Sequence, residues 1–143
     1  MSVLKFTELE KALEKIALGQ PCAVPTETVY GLAASIDNSL AIRQIFALKE
    51  RPINHPLIIH ASSIEMASRY AIFTDQAIAI GQHFWPGPLT LILPKKDSVP
   101  AEVTGGLSTV GVRIPDHPLT RQLIEIHGTP LAAPSANKFG KTS

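Results

Sequence analysis

Hydrophobic and polar positions along this chain switch repeatedly between the spacing of a helix and the short apolar runs of strands. Thr7 and Glu10 form a capping box, helical apolar spacing follows, and Gly19 ends this first helix. Asn38 or Ser39 can cap a second helix, which Pro52 forbids from continuing. Further helices are predicted over residues 62–70 (a Ser62–Glu65 capping box), over residues 75–84, and over "HPLTRQLIEIH" up to Gly128.

Short apolar, β-rich runs between these helices predict five strands. They lie within "PCAVPTETV", which leads into a predicted loop at Tyr30 and Gly31, and within "PLIIH", "LTLILP", "STVGVRIP" and "PLAAP". "WPGP" is predicted to be a turn. The alternation of strand and helix indicates a layered α/β domain, and the closeness of "LTLILP" to "STVGVRIP" favours some antiparallel pairing.

Composition narrows the class of protein. The 143 residues fit one domain, 45% of them are hydrophobic, and 13 basic against 12 acidic residues give a net charge of +1. No global field would therefore draw the protein to nucleic acid or to anionic lipid, so any anion site must be local. One cysteine, Cys22, excludes an internal disulfide, and no apolar run approaches the length of a membrane span. We expect a cytoplasmic protein.

Polar side chains able to do chemistry collect at strand ends, which is where open α/β sheets bind ligands. The "TET" of residues 26–28 can equally serve local turn hydrogen bonds. Lys49 and Arg51 can simply complement a helix dipole, but the proline that follows places Arg51 in a loop where its guanidinium can grip a phosphate.

The other candidates also have two interpretations. His60 ends a strand, where a backbone partner could satisfy it. Arg113 lies in an apolar strand and needs a partner, which a ligand carboxylate or phosphate would supply. "SAN" at residues 135–137 is either an ordinary polar turn or a loop for phosphate or ribose, and "GKTS" lacks the upstream glycine of a P-loop. No His, Cys or carboxylate spacing predicts a metal site built by the protein.

The segments "PTETVYGLA", "KERPINHPLIIH", "WPGPLTLIL", "STVGVRIPDHP" and "APSAN", in this order, resemble the YrdC-like family of threonylcarbamoyl-AMP synthases. The resemblance implies a twisted, open, mixed parallel and antiparallel sheet with flanking helices. It also implies a nucleotidyltransferase that makes threonylcarbamoyl-AMP and pyrophosphate from L-threonine, bicarbonate and ATP, with the adenylate passing to the machinery for tRNA N6-threonylcarbamoyladenosine. Mg²⁺ would arrive with ATP, held mainly by phosphate oxygens.

The resemblance also assigns residues. Thr28, His60 and Arg113 would hold threonine, and Lys49 and Arg51 would act in catalysis on the nucleotide phosphates. The remaining ATP contacts would come from His55, Thr109, Ser135, Asn137 and Ser143, although the family usually has Asn or Lys where this chain has His55.

The family normally continues beyond the "GKTS" with which this sequence ends, so we expect residues 1–143 to be a single domain that lacks its C-terminal part. An exposed sheet edge there would favour association. Two alternatives remain open: a module of the same fold that binds RNA weakly, and an inactive fragment.

Overall fold

The computed structural model describes residues 6–25, 30–49, 52 and 55–134. Its helices are α1 (Phe6–Ala17), α2 (Ser39–Leu48), α3 (Ile64–Ala67), α4 (Asp75–Phe84), α5 (Ala101–Thr104) and α6 (Pro118–His127). Its strands are β1 (Cys22–Pro25), β2 (Tyr30–Ser35), β3 (Ile58–His60), β4 (Leu91–Pro94), β5 (Thr109–Arg113) and β6 (Leu131–Ala133). Within these ranges, no helix has the length and apolar character needed to cross a membrane.

Side-chain caps start three of the helices. Asn38 caps α2 by accepting the Ala41 N–H at 2.9 Å, as the sequence predicts. The other two predicted caps are wrong. Thr7 already lies inside α1, and a residue with helical backbone cannot be an N-cap. Ser63 caps α3, since it has the extended backbone that a cap requires and accepts the Met66 N–H at 3.1 Å, whereas Ser62 lies one residue too early.

The strands form one six-stranded sheet in the order β1-β2-β6-β3-β5-β4. Every neighbouring pair is antiparallel except β3 and β5, which are parallel. The predicted mixed sheet is confirmed, as is the antiparallel pairing of β4 with β5. The sequence missed β2, because "YGLAAS" is rich in residues of low strand propensity and forms a strand through its pairing with both β1 and β6.

The two faces of the sheet are covered differently. One face carries Ala34, Ile59, Val110 and Val112, all at most 2% exposed, and α2 and α5 pack against it. On the opposite face, α1 and α6 cover β1 and β2, as the bond between the His127 and Ser35 side chains shows. Most of the described buried apolar side chains thus belong to one core around the sheet.

Over β3, β5 and β4 the described residues cover the second face only in part, with His60 and Gly111 buried there. Ile92, which lies on this face, is 67% exposed, and Ile58, Thr109 and Arg113 are each only partly buried. A sheet face normally buries its apolar side chains against another layer. This open half-face, which the described residues cover only in part, is therefore the place to look for a ligand site.

Candidate functional site

His60 and Arg113 lie side by side at the carboxyl ends of the two parallel strands. The register of β3 and β5 pairs Ile58 with Gly111 and His60 with Arg113. Paired residues on neighbouring strands point to the same face, about 4.8 Å apart. Two of the three residues predicted to hold threonine thus come together on the open half-face, although 53 positions of sequence separate them.

His60 presents a neutral imidazole to this site. The ring is 7% exposed, and its Nδ1 lies 3.1 Å from the carbonyl oxygen of Ile58. Burial lowers the pKa of His60 from 6.5 to about 4, while the bond to Ile58 opposes that change. A carbonyl can only accept, so Nδ1 carries the proton at neutral pH and Nε2 keeps a lone pair. The backbone partner considered from sequence is present, and the same ring still offers an acceptor.

Arg113 is held in place by the "WPGP" turn. Its Nε donates to the carbonyl oxygen of Gly87 at 3.2 Å, and the Gly87 N–H donates to the carbonyl of Ile114 at 2.9 Å. A Cβ on Gly87 would lie 2.6 Å from the carbonyl oxygen of Phe84, so only glycine fits here. The turn is confirmed, and Trp85 anchors it through an Nε1 bond to the Leu89 carbonyl at 2.8 Å.

This contact gives Arg113 one partner within the protein, and the expected ligand partner stays a prediction. Burial lowers the pKa of the guanidinium. An arginine nevertheless stays charged in proteins, because the ordinary pKa of its guanidinium lies far above neutral pH. Gly87 therefore orients a charged side chain at the edge of the open half-face.

Thr109 lies on the same face as Arg113, at the other end of β5. It pairs with Pro94, and the pair between Gly111 and Ile92 lies between it and Arg113. Four residues of strand span about 13 Å. Thr109 and Arg113 thus occupy opposite ends of the strand, and the assignment of Thr109 to ATP stays a prediction.

Lys49 and His55 flank a segment described only at Pro52. Lys49 ends α2 as its C-cap, with its N–H bonded to the carbonyl of Ile45. His55 is half-buried before β3, and its N–H donates to the carbonyl of Pro52 at 3.0 Å. The sheet register brings neither residue beside His60, so their roles toward ATP stay predictions.

Five predicted site residues lie outside the described residues: Thr28, Arg51, Ser135, Asn137 and Ser143. Among the residues that are described, no three His, Cys, Asp or Glu side chains are grouped so that they could hold a metal ion. A cavity of about 360 Å³ lies between α1, β1 and α6, lined by Cys22, Leu119 and Leu123 among others, and its lining does not include His60 or Arg113. The site formed by His60 and Arg113 is thus separate from this cavity.

Sequence reasoning overlooked the apolar part of this face. Thr90, Ile92 and Ile58 surround Gly111, between Thr109 and Arg113. The alternation of "STVGVR" predicts that Thr109, Gly111 and Arg113 share a face. It cannot predict which residues of other strands border that face.

Comparison with known proteins places this arrangement in a family. Residues 14–143 match the Sua5/YciO/YrdC family, which is described as "Telomere recombination". The threonylcarbamoyl-AMP synthase of Pyrococcus abyssi is 49% identical over 126 residues, which cover 87% of this chain and 37% of that protein. The Bacillus subtilis protein of the same name is 44% identical over 95% of this chain and 40% of its own length, and that of Vibrio vulnificus (strain YJ016) is 36% identical over 95% and 75%.

Similarity to solved structures supports the same family. P. abyssi Sua5 in complex with L-threonine superposes with a TM-score of 0.91 at 45% identity, covering 99% of this chain and 42% of that one. Escherichia coli YciO, at 23% identity and a TM-score of 0.87 over 98% of this chain and 68% of its own, shares the fold. The chain belongs to the Sua5/YciO/YrdC family. It spans about two fifths of the length of the P. abyssi and B. subtilis relatives.

Proposed function

We propose that this chain catalyses the synthesis of threonylcarbamoyl-AMP and pyrophosphate from L-threonine, bicarbonate and ATP, as a nucleotidyltransferase. The observation that carries the proposal is the pairing of His60 with Arg113 on one sheet face. It occurs in a chain 45% identical to a Sua5 that has been solved with L-threonine. The adenylate would serve the tRNA modification named in the family resemblance.

Of the residues proposed to bind threonine, Arg113 and His60 lie in the described part of the chain, and each would contact a different group of the amino acid. Arg113, oriented by Gly87, would pair with the threonine carboxylate through a charge-assisted bond. The neutral His60 would accept a hydrogen bond at Nε2 from the amino acid. Because His60 carries no charge at pH 7, it adds no repulsion toward the amine. Thr28 is proposed as the third threonine contact.

The reaction joins two anions. The threonine amine attacks the carbon of bicarbonate, a C–O bond breaks and water leaves, which gives a carbamate. A carbamate oxygen then attacks the α-phosphorus of ATP while pyrophosphate leaves. Catalysis then consists of holding the anions together and neutralising charge, with little covalent work for the protein. Lys49 and Arg51 would supply that charge.

The remaining nucleotide contacts are proposed at His55, Thr109, Ser135, Asn137 and Ser143. Mg²⁺ would be bound by phosphate oxygens, which suits the lack of an acidic cluster among the described residues. Its role would be to neutralise charge on the phosphates.

Release of pyrophosphate tests the proposal. The purified chain is incubated with L-threonine, bicarbonate, MgCl₂ and ATP, and each component is omitted in turn. We expect pyrophosphate only in the complete mixture, together with a product whose mass is that of threonylcarbamoyl-AMP. No pyrophosphate from the folded chain would refute the proposal. Salt-dependent RNA binding in its place would support the RNA-binding alternative, and its absence would leave an inactive fragment.

Arg113→Ala tests the threonine site separately. A hydrogen bond to a charged group contributes about 1.5–3 kcal/mol. We therefore expect threonine affinity, measured by calorimetry, to fall by roughly 10- to 100-fold. Arg43→Ala removes an exposed arginine of α2 and is the matched control, for which affinity stays unchanged. Equal affinity in both variants would remove Arg113 from the site.

A further inference from the structure

The "WPGP" turn is closed by the side chain of its first residue. Trp85 is 9% exposed, and its indole Nε1 donates to the carbonyl oxygen of Leu89 at 2.8 Å. This bond joins the start of the turn to the residue that follows it. Pro86 and Pro88 have a φ fixed by their rings, which further limits the conformations of the turn. The backbone between Trp85 and Leu89 is therefore held in one arrangement.

At the centre of the turn, Gly87 uses both of its backbone polar groups on the end of β5. Its N–H donates to the carbonyl oxygen of Ile114 at 2.9 Å, and its own carbonyl oxygen accepts from Arg113 Nε at 3.2 Å. The two contacts go to consecutive residues, one to the backbone and one to a side chain. The position of Gly87 therefore fixes the direction in which the guanidinium leaves the strand.

The indole ring of Trp85 packs closely against α4. A Cβ on Gly81, one helical turn earlier, would lie 2.7 Å from Cε3 and 2.8 Å from Cζ3 of the ring. The Phe73 ring meets the indole edge-on, with the two ring centroids 6.3 Å apart. Packing thus holds the indole in one orientation, with its N–H directed at the Leu89 carbonyl.

We infer that Trp85 is a positioning residue for the threonine carboxylate, on which it acts through Gly87 and Arg113. The inference rests on the proposed function, in which Arg113 binds that carboxylate. The indole N–H holds the turn and the turn holds Arg113 Nε, so the guanidinium is oriented before the amino acid arrives. A preorganised group binds more tightly, because less of the binding free energy is used to order it.

Trp85→Phe tests the inference, because phenylalanine keeps an aromatic ring at this position and lacks the N–H donor. The Kd for threonine, measured by calorimetry, and the KM for threonine are expected to rise about three- to tenfold, which is the effect of losing one neutral hydrogen bond. ATP affinity, and kcat at saturating threonine, stay within about twofold of the wild type, because the loss concerns binding of one substrate. A role of Trp85 in stability alone would leave the threonine KM unchanged.

Two further variants separate the N–H from the packing of the ring. Phe73→Leu removes the half-buried aromatic neighbour of Trp85 but not the indole N–H, so it should lower stability in urea and leave threonine affinity unchanged. Gly81→Ala favours the helix, but its Cβ displaces the indole and breaks the bond to Leu89. It should therefore raise the threonine KM as Trp85→Phe does.

The outcomes separate this inference from the proposed function. A wild-type chain that neither binds threonine nor forms pyrophosphate refutes both. A wild type that binds threonine without forming pyrophosphate refutes only the proposed function, and calorimetry on the variants then decides the inference. A folded Trp85→Phe with the wild-type threonine affinity overturns only the inference, as does an equal loss of affinity in Phe73→Leu. If Trp85→Phe fails to fold, a folded Gly81→Ala with the wild-type threonine affinity overturns it.

Discussion

Burial of His60 predicts that acid weakens the fold in a defined pH range. The pKa of this imidazole is about 4 in the folded chain, against 6.5 for an ordinary histidine. Between these values the unfolded chain binds the proton and the folded chain does not. Stability is therefore complete above pH 6.5, is lost as the pH falls, and stops changing on this account below about 4.

The size of the effect follows from the difference between the two pKa values. Each tenfold change in a proton equilibrium is worth about 1.4 kcal/mol, so acidification from pH 7 to 4.5 removes about 2–3 kcal/mol through His60. A domain of this kind has a total stability of roughly 5–15 kcal/mol. The loss is therefore large enough to measure.

Urea unfolding of the wild type and His60→Asn at several pH values measures this contribution of His60 to stability. Asparagine can still donate to the Ile58 carbonyl but does not titrate. On acidification from pH 7 to 4.5, the free energy of unfolding should therefore decrease in both proteins, but by about 2–3 kcal/mol less in His60→Asn than in the wild type. Burial also lowers the pKa of His127, whose ring nitrogen lies 2.8 Å from Ser35 Oγ. Urea unfolding of His127→Gln at the same pH values measures the contribution of His127 to the loss of stability. Parallel pH curves for the wild type and His60→Asn would show that the reasoning about burial is wrong.

Four further substitutions test the fold and the support of the site. Asn38→Ala removes the cap of α2 and is expected to cost about 1 kcal/mol in urea unfolding. Ile59→Ala empties a fully buried position and should cost about 2–5 kcal/mol, whereas Ile92→Ala, at 67% exposure, should change stability by less than about 0.5 kcal/mol. Gly87→Ala, which places a Cβ against the Phe84 carbonyl, should weaken threonine binding by releasing Arg113; calorimetry on the folded variant would contradict this if affinity were unchanged.

The local sequence predicts the elements whose signals lie within a few residues. The bounds of α4 and the end of α6 at Gly128 agree with the prediction, because helical spacing and terminal glycine act locally. The short α5 was not predicted, and neither was β2. A segment such as "YGLAAS" has weak strand propensity, and only two partner strands make it a strand.

At the site, the local sequence specifies the available residue types and places Thr109, Gly111 and Arg113 on one face of a strand. Contacts between distant parts of the chain place His60 beside Arg113 and Gly87 against that arginine, and they leave Ile58 and Thr109 only partly buried. The physical reason is that side-chain direction along a strand follows from the local backbone. Strand order, register and the burial that lowers the pKa of His60 depend instead on contacts between residues far apart in the chain.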